Sequence, residues 1–549
     1  MRLTARRSAW AVAAFALATA CPAPEAAPEG AGGAKPAPPH AAGAAGAQAS
    51  ASGPEHWRQL GREALARSRE IAPPGRPAKN LILFLGDGMS IETIVAAHIL
   101  EGQRQGAPGE ESLLAFESFP YVALVKTYNT DQQVGESAGC MSAIMTGVKT
   151  RSGVLSMDEL VTPGVYAPDL GAHVVPTLLE QAEDRGLSTG VVTTTAVTNA
   201  TPAACYAHVP DRGWQKDSKL PDAAVGAGFP DIARQLLEFA HGDGLEVALG
   251  GGRELFLPKQ LRDPEDPKLH GERHDGRDLT REWLSRRPRS AYVWNAKQLA
   301  AIDPAQTDHL LGLFQPEHMR FEVDHKNDGS GEPSLSEMTL AALEILERNP
   351  KGFFLMVEGG RIDHAHHLGN AYRALTETIE LSNAVRAALA KVDPKQTLVV
   401  VTADHGHTLM IGGSPTRGNP ILGKVVENDD HGQPLPDYAT DSTGAAYTTL
   451  SYANGPGYPG ATKSQPEGPK RFSEHEPKHQ RAATHGPPDL RNVDTEDPDY
   501  LQTAMVPLPS EKHSGEDIPV YATGPGAALF HGVQEQSYLY YAMAAALGW

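Results

Sequence analysis

The sequence predicts an α/β fold: a mostly parallel central sheet covered by helices on both faces, with a loop-rich insertion. Three observations predict it. Short runs rich in aliphatic and β-branched residues recur at 81–85, 190–195, 353–357 and 397–401, and such runs read as strands buried on both faces. Helical patterns lie between them. The clearest is 371–392, where Leu375, Ile379, Ala384, Val385, Ala388 and Leu389 fall at helix-like spacing. Strands and helices therefore alternate along the chain, the signature of a sheet with helices packed on it. The 549 residues, 40% hydrophobic and 21% charged, suffice for a sizeable core. No internal repeat is visible.

The N-terminus stands apart from this pattern. Arg2, Arg6 and Arg7 precede an apolar run over 9–20, too short to span a bilayer. Residues 1–20 read as a secretory signal peptide, so the protein is expected to be exported to the periplasm, the outer cell surface or the medium. Small residues lead into Cys21, which makes Cys21 a candidate lipid anchor of a lipoprotein; an ordinary small-residue cleavage site is the alternative. Residues 21–54 are rich in Ala, Pro and Gly and read as a flexible tether. The folded domain is expected over 55–549. Within it, residues about 412–499 lose the alternating pattern and are rich in Gly, Pro, Asn, Asp and His, as expected of a long insertion.

Composition removes several function classes. The formal charge is −19, which argues against a protein that grips nucleic acid through a basic surface. It also disfavours simple adhesion to anionic lipid. Cys21, Cys140 and Cys205 are the only cysteines, so a disulfide scaffold and a Cys₄ zinc site are excluded. Cys140 and Cys205 are expected to be small buried hydrophobes.

Three strands run into carboxylates. One leads to Asp87, one to Glu358 and one to Asp404, which His405 follows directly. Ligands of open α/β sheets bind beyond the carboxyl ends of the strands. One such acid is commonly a turn or cap residue. Three at one edge would repel one another unless cations sat among them. Asp363 and His367 are four apart and would share one helix face; imidazole with carboxylate suits zinc. His364 and His366 need not be ligands, and a lone His such as His407 is more often structural. His513 is a further candidate. Ser137, after Gly135 and Glu136 and before a run of helix formers, is placed at a helix N-terminus, where an anionic group is favoured. A plain N-cap serine would look the same.

Those residues carry a resemblance. From about Lys79 onward the chain resembles the alkaline phosphatase family. The blocks are Leu85-Gly-Asp-Gly-Met89, Glu136-Ser-Ala138, Thr146-Gly-Val-Lys-Thr150, Asn199-Ala-Thr-Pro-Ala203, Val357-Glu-Gly-Gly-Arg-Ile-Asp-His364, Thr402-Ala-Asp-His405 and His513-Ser-Gly-Glu-Asp517, in that order. Ala371-Tyr-Arg-Ala-Leu-Thr-Glu-Thr378 and His531-Gly-Val-Gln-Glu-Gln536 look closer to animal members than to the enteric bacterial enzyme.

The resemblance implies a phosphomonoesterase with two zinc ions and one magnesium. Asp363, His367 and His513 would hold the first zinc; Asp404, His405 and Ser137 the second. Asp87 would bridge the second zinc to magnesium, which Thr201 and Glu358 complete. Ser137 would attack phosphorus to form a phosphoserine, and Arg212 would clamp two phosphate oxygens. His364 would reach phosphate through water. The substrate would be a small phosphate monoester, and the loop-rich stretch would be the family's crown, found at a homodimer interface.

Some positions depart from the family. Glu136 replaces an Asp that normally orients the arginine. Asn199 replaces a His or Asp in the surroundings of magnesium. A calcium site known in animal members would map to Glu265, the carbonyl of Phe314, Gln315 and Glu332, but Gln315 is a neutral amide where they have an acid, which weakens calcium binding. Three other readings compete. A sulfatase needs a Cys-x-Pro-x-Arg nucleophile, which no cysteine here supplies. A phosphodiesterase is harder to exclude, but Arg212 favours a terminal phosphate with free oxygens. A non-catalytic metal- or phosphate-binding surface protein is opposed by the complete ligand set together with Ser137.

Overall fold

All of residues 81–85 are fully buried. Successive side chains of a strand point to opposite faces, so the sheet is covered on both sides here, as the continuous apolar run predicts. The computed structural model describes residues 53–71, 75–327, 331–460, 466–472 and 489–549. The expected signal peptide, Cys21 and nearly all of the tether lie outside the described residues. Gly53 and Pro54, assigned to the tether from sequence, begin the helix Gly53–Ile71.

The main sheet has ten strands. In chain order they are β1 (Asn80–Gly86), β2 (Tyr121–Lys126), β3 (Ser188–Ala196), β4 (Val247–Gly251), β5 (Ser290–Val293), β6 (His309–Leu313), β7 (Phe353–Gly359), β8 (Thr397–Thr402), β9 (Asp517–Thr523) and β10 (Gly532–Glu535). Across the sheet they run β10-β2-β9-β8-β1-β7-β3-β4-β6-β5. Every pairing is parallel except those of β9, which lies antiparallel between β8 and β2. The four runs read as strands from sequence are β1, β3, β7 and β8. They form the contiguous centre of the sheet; β4 and β6 are buried throughout too, but are five residues long and contain glycine.

Helices flank this centre. Leu335–Leu346 and Ala371–Lys391 pack on each other and on central strands. The first is closed at its N-terminus by a capping box between Ser334 and Glu337. The second matches the predicted 371–392 helix, with Asn370 as N-cap. The stretch 412–499 is loop-rich where described, but it contains the strand Leu450–Gly455, which pairs with Leu409–Ile411 and Ala504–Pro507 in a separate small sheet. Among the described residues no helix is long and apolar enough to cross a membrane. Cys140 and Cys205 are buried free thiols.

Candidate active site

The parallel register aligns the acids. Leu85 of β1 stands beside Glu358 of β7 on one side and Thr402 of β8 on the other. Asp87 and Asp404 therefore lie just beyond the ends of β1 and β8, and Glu358 at the end of β7 between them and β3, so all three meet at the carboxyl ends of the strands. All three are buried. Burial pushes the Asp87 carboxyl well above the usual range, and Asp404, Asp363 and Glu358 push it further. Burial likewise raises Asp404 to about 6 and Glu358 to about 7. Glu358 Oε2 accepts from the Thr193 and Thr195 hydroxyls. Among the described residues its Oε1 has no hydrogen-bond partner, and neither do Asp404 Oδ2 and His405 Nδ1. Thr201 Oγ1 donates to Asp87 Oδ2 at 3.4 Å. Buried acids with orphaned oxygens are what a divalent cation would satisfy.

Beside them lies a second group. Asp363 and His367 sit one turn apart on the helix Arg361–His367. His513 arrives on a short strand paired with Gly406 and His407. His367 Nδ1 bonds to the Glu511 carbonyl at 2.6 Å, and His513 Nδ1 to the Gly135 carbonyl at 2.9 Å. A carbonyl only accepts, so each Nδ1 carries the proton and each Nε2 is a bare lone pair. Those two Nε2 atoms are 3.2 Å apart, and each lies 3.4 Å from Asp363 Oδ1. Two lone pairs and a carboxylate converge on one point with no proton among them. The residues fit zinc, which takes nitrogen and oxygen ligands in this number. The ligand atoms of Asp363, His367, His407 and His513 all lie within 4.8 Å of one another, as do those of Asp87, Asp363 and His405.

His407 has a different role from these ligands. Its Nε2 bonds to Asp363 Oδ1 at 2.7 Å and its Nδ1 to Glu511 Oε2. Both ring nitrogens therefore donate, and neither is left for a metal. Burial would lower its pKa, but Glu511 and Asp363 outweigh this and raise it to about 10. His407 is strung between two buried carboxylates, Asp363 and Glu511. Glu511 also accepts from the Thr408 backbone and hydroxyl at 2.7 and 2.6 Å. Sequence reasoning missed Glu511, Thr193 and Thr195; the one available signal for Glu511 was its closeness to His513. His366 bonds to Tyr452 and Thr93 through its two nitrogens, so it is structural. His364 Nδ1 accepts from Arg361 at 2.7 Å and its ring meets His318 edge-on.

Ser137 opens the helix Ser137–Thr146, and Glu136 is its N-cap. The serine is buried. Its Oγ lies 3.4 Å from Asp87 Oδ2 and 3.3 Å from His405 Nε2. The helix end directs its positive pole to this point, while its Ala138 and Gly139 N–H groups are taken up by the Glu136 carboxylate. Arg212 reaches the same helix end, donating from Nη1 to Glu136 Oε2 at 2.8 Å. The structure thus gathers Asp87, Ser137, Thr201, Glu358, Asp363, His367, Asp404, His405 and His513 at one sheet edge, with Arg212 on Glu136.

The positions of the expected calcium site are already engaged by protein donors. Glu265 Oε2 accepts from Arg253 at 2.6 Å. The Gln315 amide donates to Glu332 Oε1 at 2.7 Å, and the Arg320 backbone to Glu332 Oε2 at 2.9 Å. Arg253 also makes a bidentate pair with Asp263 and bonds to the Leu313 carbonyl at 2.9 Å. A calcium ion here would have to displace Arg253 from Glu265 and the Gln315 amide from Glu332.

Comparison with known proteins adds to the geometry. The family model described as alkaline phosphatase matches residues 78–549. The chain is 43% identical to the tissue-nonspecific isozyme of alkaline phosphatase from Gallus gallus, over 498 residues that cover 89% of each chain. It is 41% identical to alkaline phosphatase of Gadus morhua, covering 89% of this chain and 96% of that one. Among solved structures, Thermus thermophilus alkaline phosphatase superposes with a TM-score of 0.58 at 24% identity, covering 86% of this chain and 93% of that one. The last likeness bears on the fold alone.

Proposed function

The chain belongs to the alkaline phosphatase family, and from that premise we propose that it hydrolyses phosphate monoesters through a phosphoserine at Ser137 and releases inorganic phosphate. The family is metal-dependent and acts on phosphate monoesters. The finer assignment is our own. Asp363, His367 and His513 would hold one zinc ion. Asp404, His405 and Ser137 would hold a second, and Asp87 would bridge it to a magnesium ion shared with Thr201 and Glu358. Ions there supply Lewis-acid stabilisation of charged oxygens and lower the pKa of the serine hydroxyl.

The rest falls to the side chains. Ser137 Oγ, held at the helix N-terminus, gives up its proton and forms the bond to phosphorus as the ester P–O bond breaks and the alcohol leaves. Water then cleaves the phosphoserine, releasing phosphate and restoring the hydroxyl, and the positive pole of the helix favours the negative charge that gathers there. Arg212 keeps N–H groups beyond those given to the protein, and these orient the phosphoryl oxygens. His364, whose Nδ1 is taken by Arg361, would bond phosphate through water from Nε2. The observation that carries the reading is the meeting of the His367 and His513 lone pairs over Asp363, 3.2 Å apart, beside a buried serine.

Residues 1–20 would direct export, and Cys21 could then carry a lipid anchor. Two chains would associate through the loop-rich region, whose small sheet exposes Met410, Met505 and Val506. Calcium is not part of this proposal. Acid quenching during turnover of a chromogenic phosphomonoester, followed by peptide mass spectrometry, tests the central step. Phosphate is expected on Ser137, and Ser137→Ala should lower kcat by about 10³-fold or more. Near-normal turnover by Ser137→Ala would overturn the covalent route.

A further inference from the structure

Asn199 is the N-cap of the short helix Ala200–Ala203, and its side chain does two things at once. Its Oδ1 accepts from the Ala200 N–H at 2.6 Å and from Arg212 Nη2 at 2.9 Å. Both partners are donors, so the amide must present its oxygen to them. A carbonyl oxygen has two lone pairs, and both are used. What remains on Asn199 is the Nδ2 donor. Water bound to a cation donates hydrogen bonds and needs an acceptor. Asn199 has none left, so it is poorly suited to hold water on a magnesium ion, the surroundings the resemblance gave it.

Glu136 meets the same arginine from the other side. Its Oε1 accepts from Gly139 N at 2.8 Å and Gly153 N at 2.9 Å. Its Oε2 accepts from Ala138 N at 3.0 Å and Arg212 Nη1 at 2.8 Å. The carboxylate is fully satisfied and mostly buried. Burial alone would raise its pKa, but Arg212 and the three amides bring it below the usual range. Arg212 is thereby held at both Nη atoms, by a charged acceptor on one side and a neutral one on the other. The Arg212 backbone N–H is also anchored, to the Gly153 carbonyl at 2.7 Å.

We infer that Asn199 is a positioning residue for Arg212, and that Glu136 and Asn199, the two departures from the family pattern, form one matched clamp that sets the affinity of the site for a terminal phosphate. This rests on Arg212 binding phosphate as proposed above. A longer acid brings its carboxylate onto the helix end as well as the guanidinium, and the short neutral amide fixes the second arm without adding a negative charge near the phosphate. Replacing either alone leaves one arm of the fork loose.

The test separates clamping from helix capping. Asn199→Ser keeps an N-cap acceptor but is too short to reach Arg212. Inorganic phosphate is titrated calorimetrically into the metal-loaded protein, and bound metal is measured by mass spectrometry. Asn199→Ser should weaken phosphate binding and raise KM by about tenfold, with kcat changed much less and with magnesium and zinc contents and Tm unchanged. In an Arg212→Ala background the same change should have no further effect on phosphate affinity. The inference is overturned if phosphate affinity survives Asn199→Ser, if magnesium is lost instead, or if the full effect persists without Arg212. Absence of phosphomonoester turnover by the wild-type protein would count against the proposed function, whereas the clamp is read from phosphate binding.

Discussion

Glu511 and Asp363 are joined through one ring: His407 gives Nδ1 to the first and Nε2 to the second. His407 is thereby held by an acid whose backbone carbonyl also anchors His367 Nδ1. Glu511→Gln should remove one of the two acids that hold His407 and leave Asp363 with a neutral neighbour. Partners that orient a ligand in this way typically account for 10–100-fold in metal affinity. The expected outcome is weaker zinc retention on dialysis, with activity restored by excess zinc. Unchanged zinc affinity would mean that the chain from Glu511 to Asp363 is packing only.

The facing nitrogens of His367 and His513 predict a stability effect. Without a cation, their lone pairs repel, or one must take up a proton beside Asp363. Chelator-treated protein should melt several degrees lower, since a ligand present at about 1,000 times its Kd adds about 4 kcal/mol. Re-addition of zinc should restore the melting temperature with release of protons. Calorimetry with and without zinc measures this, and equal melting temperatures would exclude a tight site.

A third prediction concerns the opposite end of the sheet. Glu183 and Glu246 are buried near the start of β3, bonded to the Thr189 hydroxyl and backbone at 2.5 and 2.6 Å respectively. Burial and the neighbouring acid raise Glu183 to about 10, and burial raises Glu246 to about 7. Between the unfolded value, near 4.5, and these folded values, the native state binds protons that the unfolded chain has released. The stabilising contribution is therefore present below the unfolded value and is lost as pH rises through the folded one. Glu183→Gln should raise the melting temperature at pH 9 by about 2 °C or more, and much less at pH 5. Equal shifts at both pH values would show that this proton is not the cause.

The two internal cysteines predict silence. Burial pushes both thiols well above their usual pKa, and the thiolate is the reactive form. Neither should react with a disulfide reagent at pH 8 in the native protein, and both should after denaturation. If Cys21 survives processing without acylation, it alone should label in the native state.

Much of this was legible in the sequence because burial on both faces leaves continuous apolar runs. β1, β3, β7 and β8 are of that kind, and the acids and His405 follow them in the chain. β2 alternates exposed and buried residues, β10 is short and exposed, and β9 contains Pro519, so none of the three stood out. Asp363 and His367 carry their pairing in their spacing. Glu511 and His407 do not: they lie 104 residues apart, and only the fold brings them together. The Asn199 bond to Arg212 was hidden for the same reason, although both residues had been singled out.

The placement of His513 also fixes when the enzyme can come into being. It lies just before β9, which is wedged between β8 and β2, within the last tenth of the chain. A ribosome must travel 146 residues beyond His367 before the third member of the His367 and Asp363 group exists. A product truncated before residue 513 would retain Ser137, Arg212 and most of the sheet, but no closed first site. Closure of that group around a metal ion is then an event that follows synthesis of His513, not one that can guide the earlier strands into place.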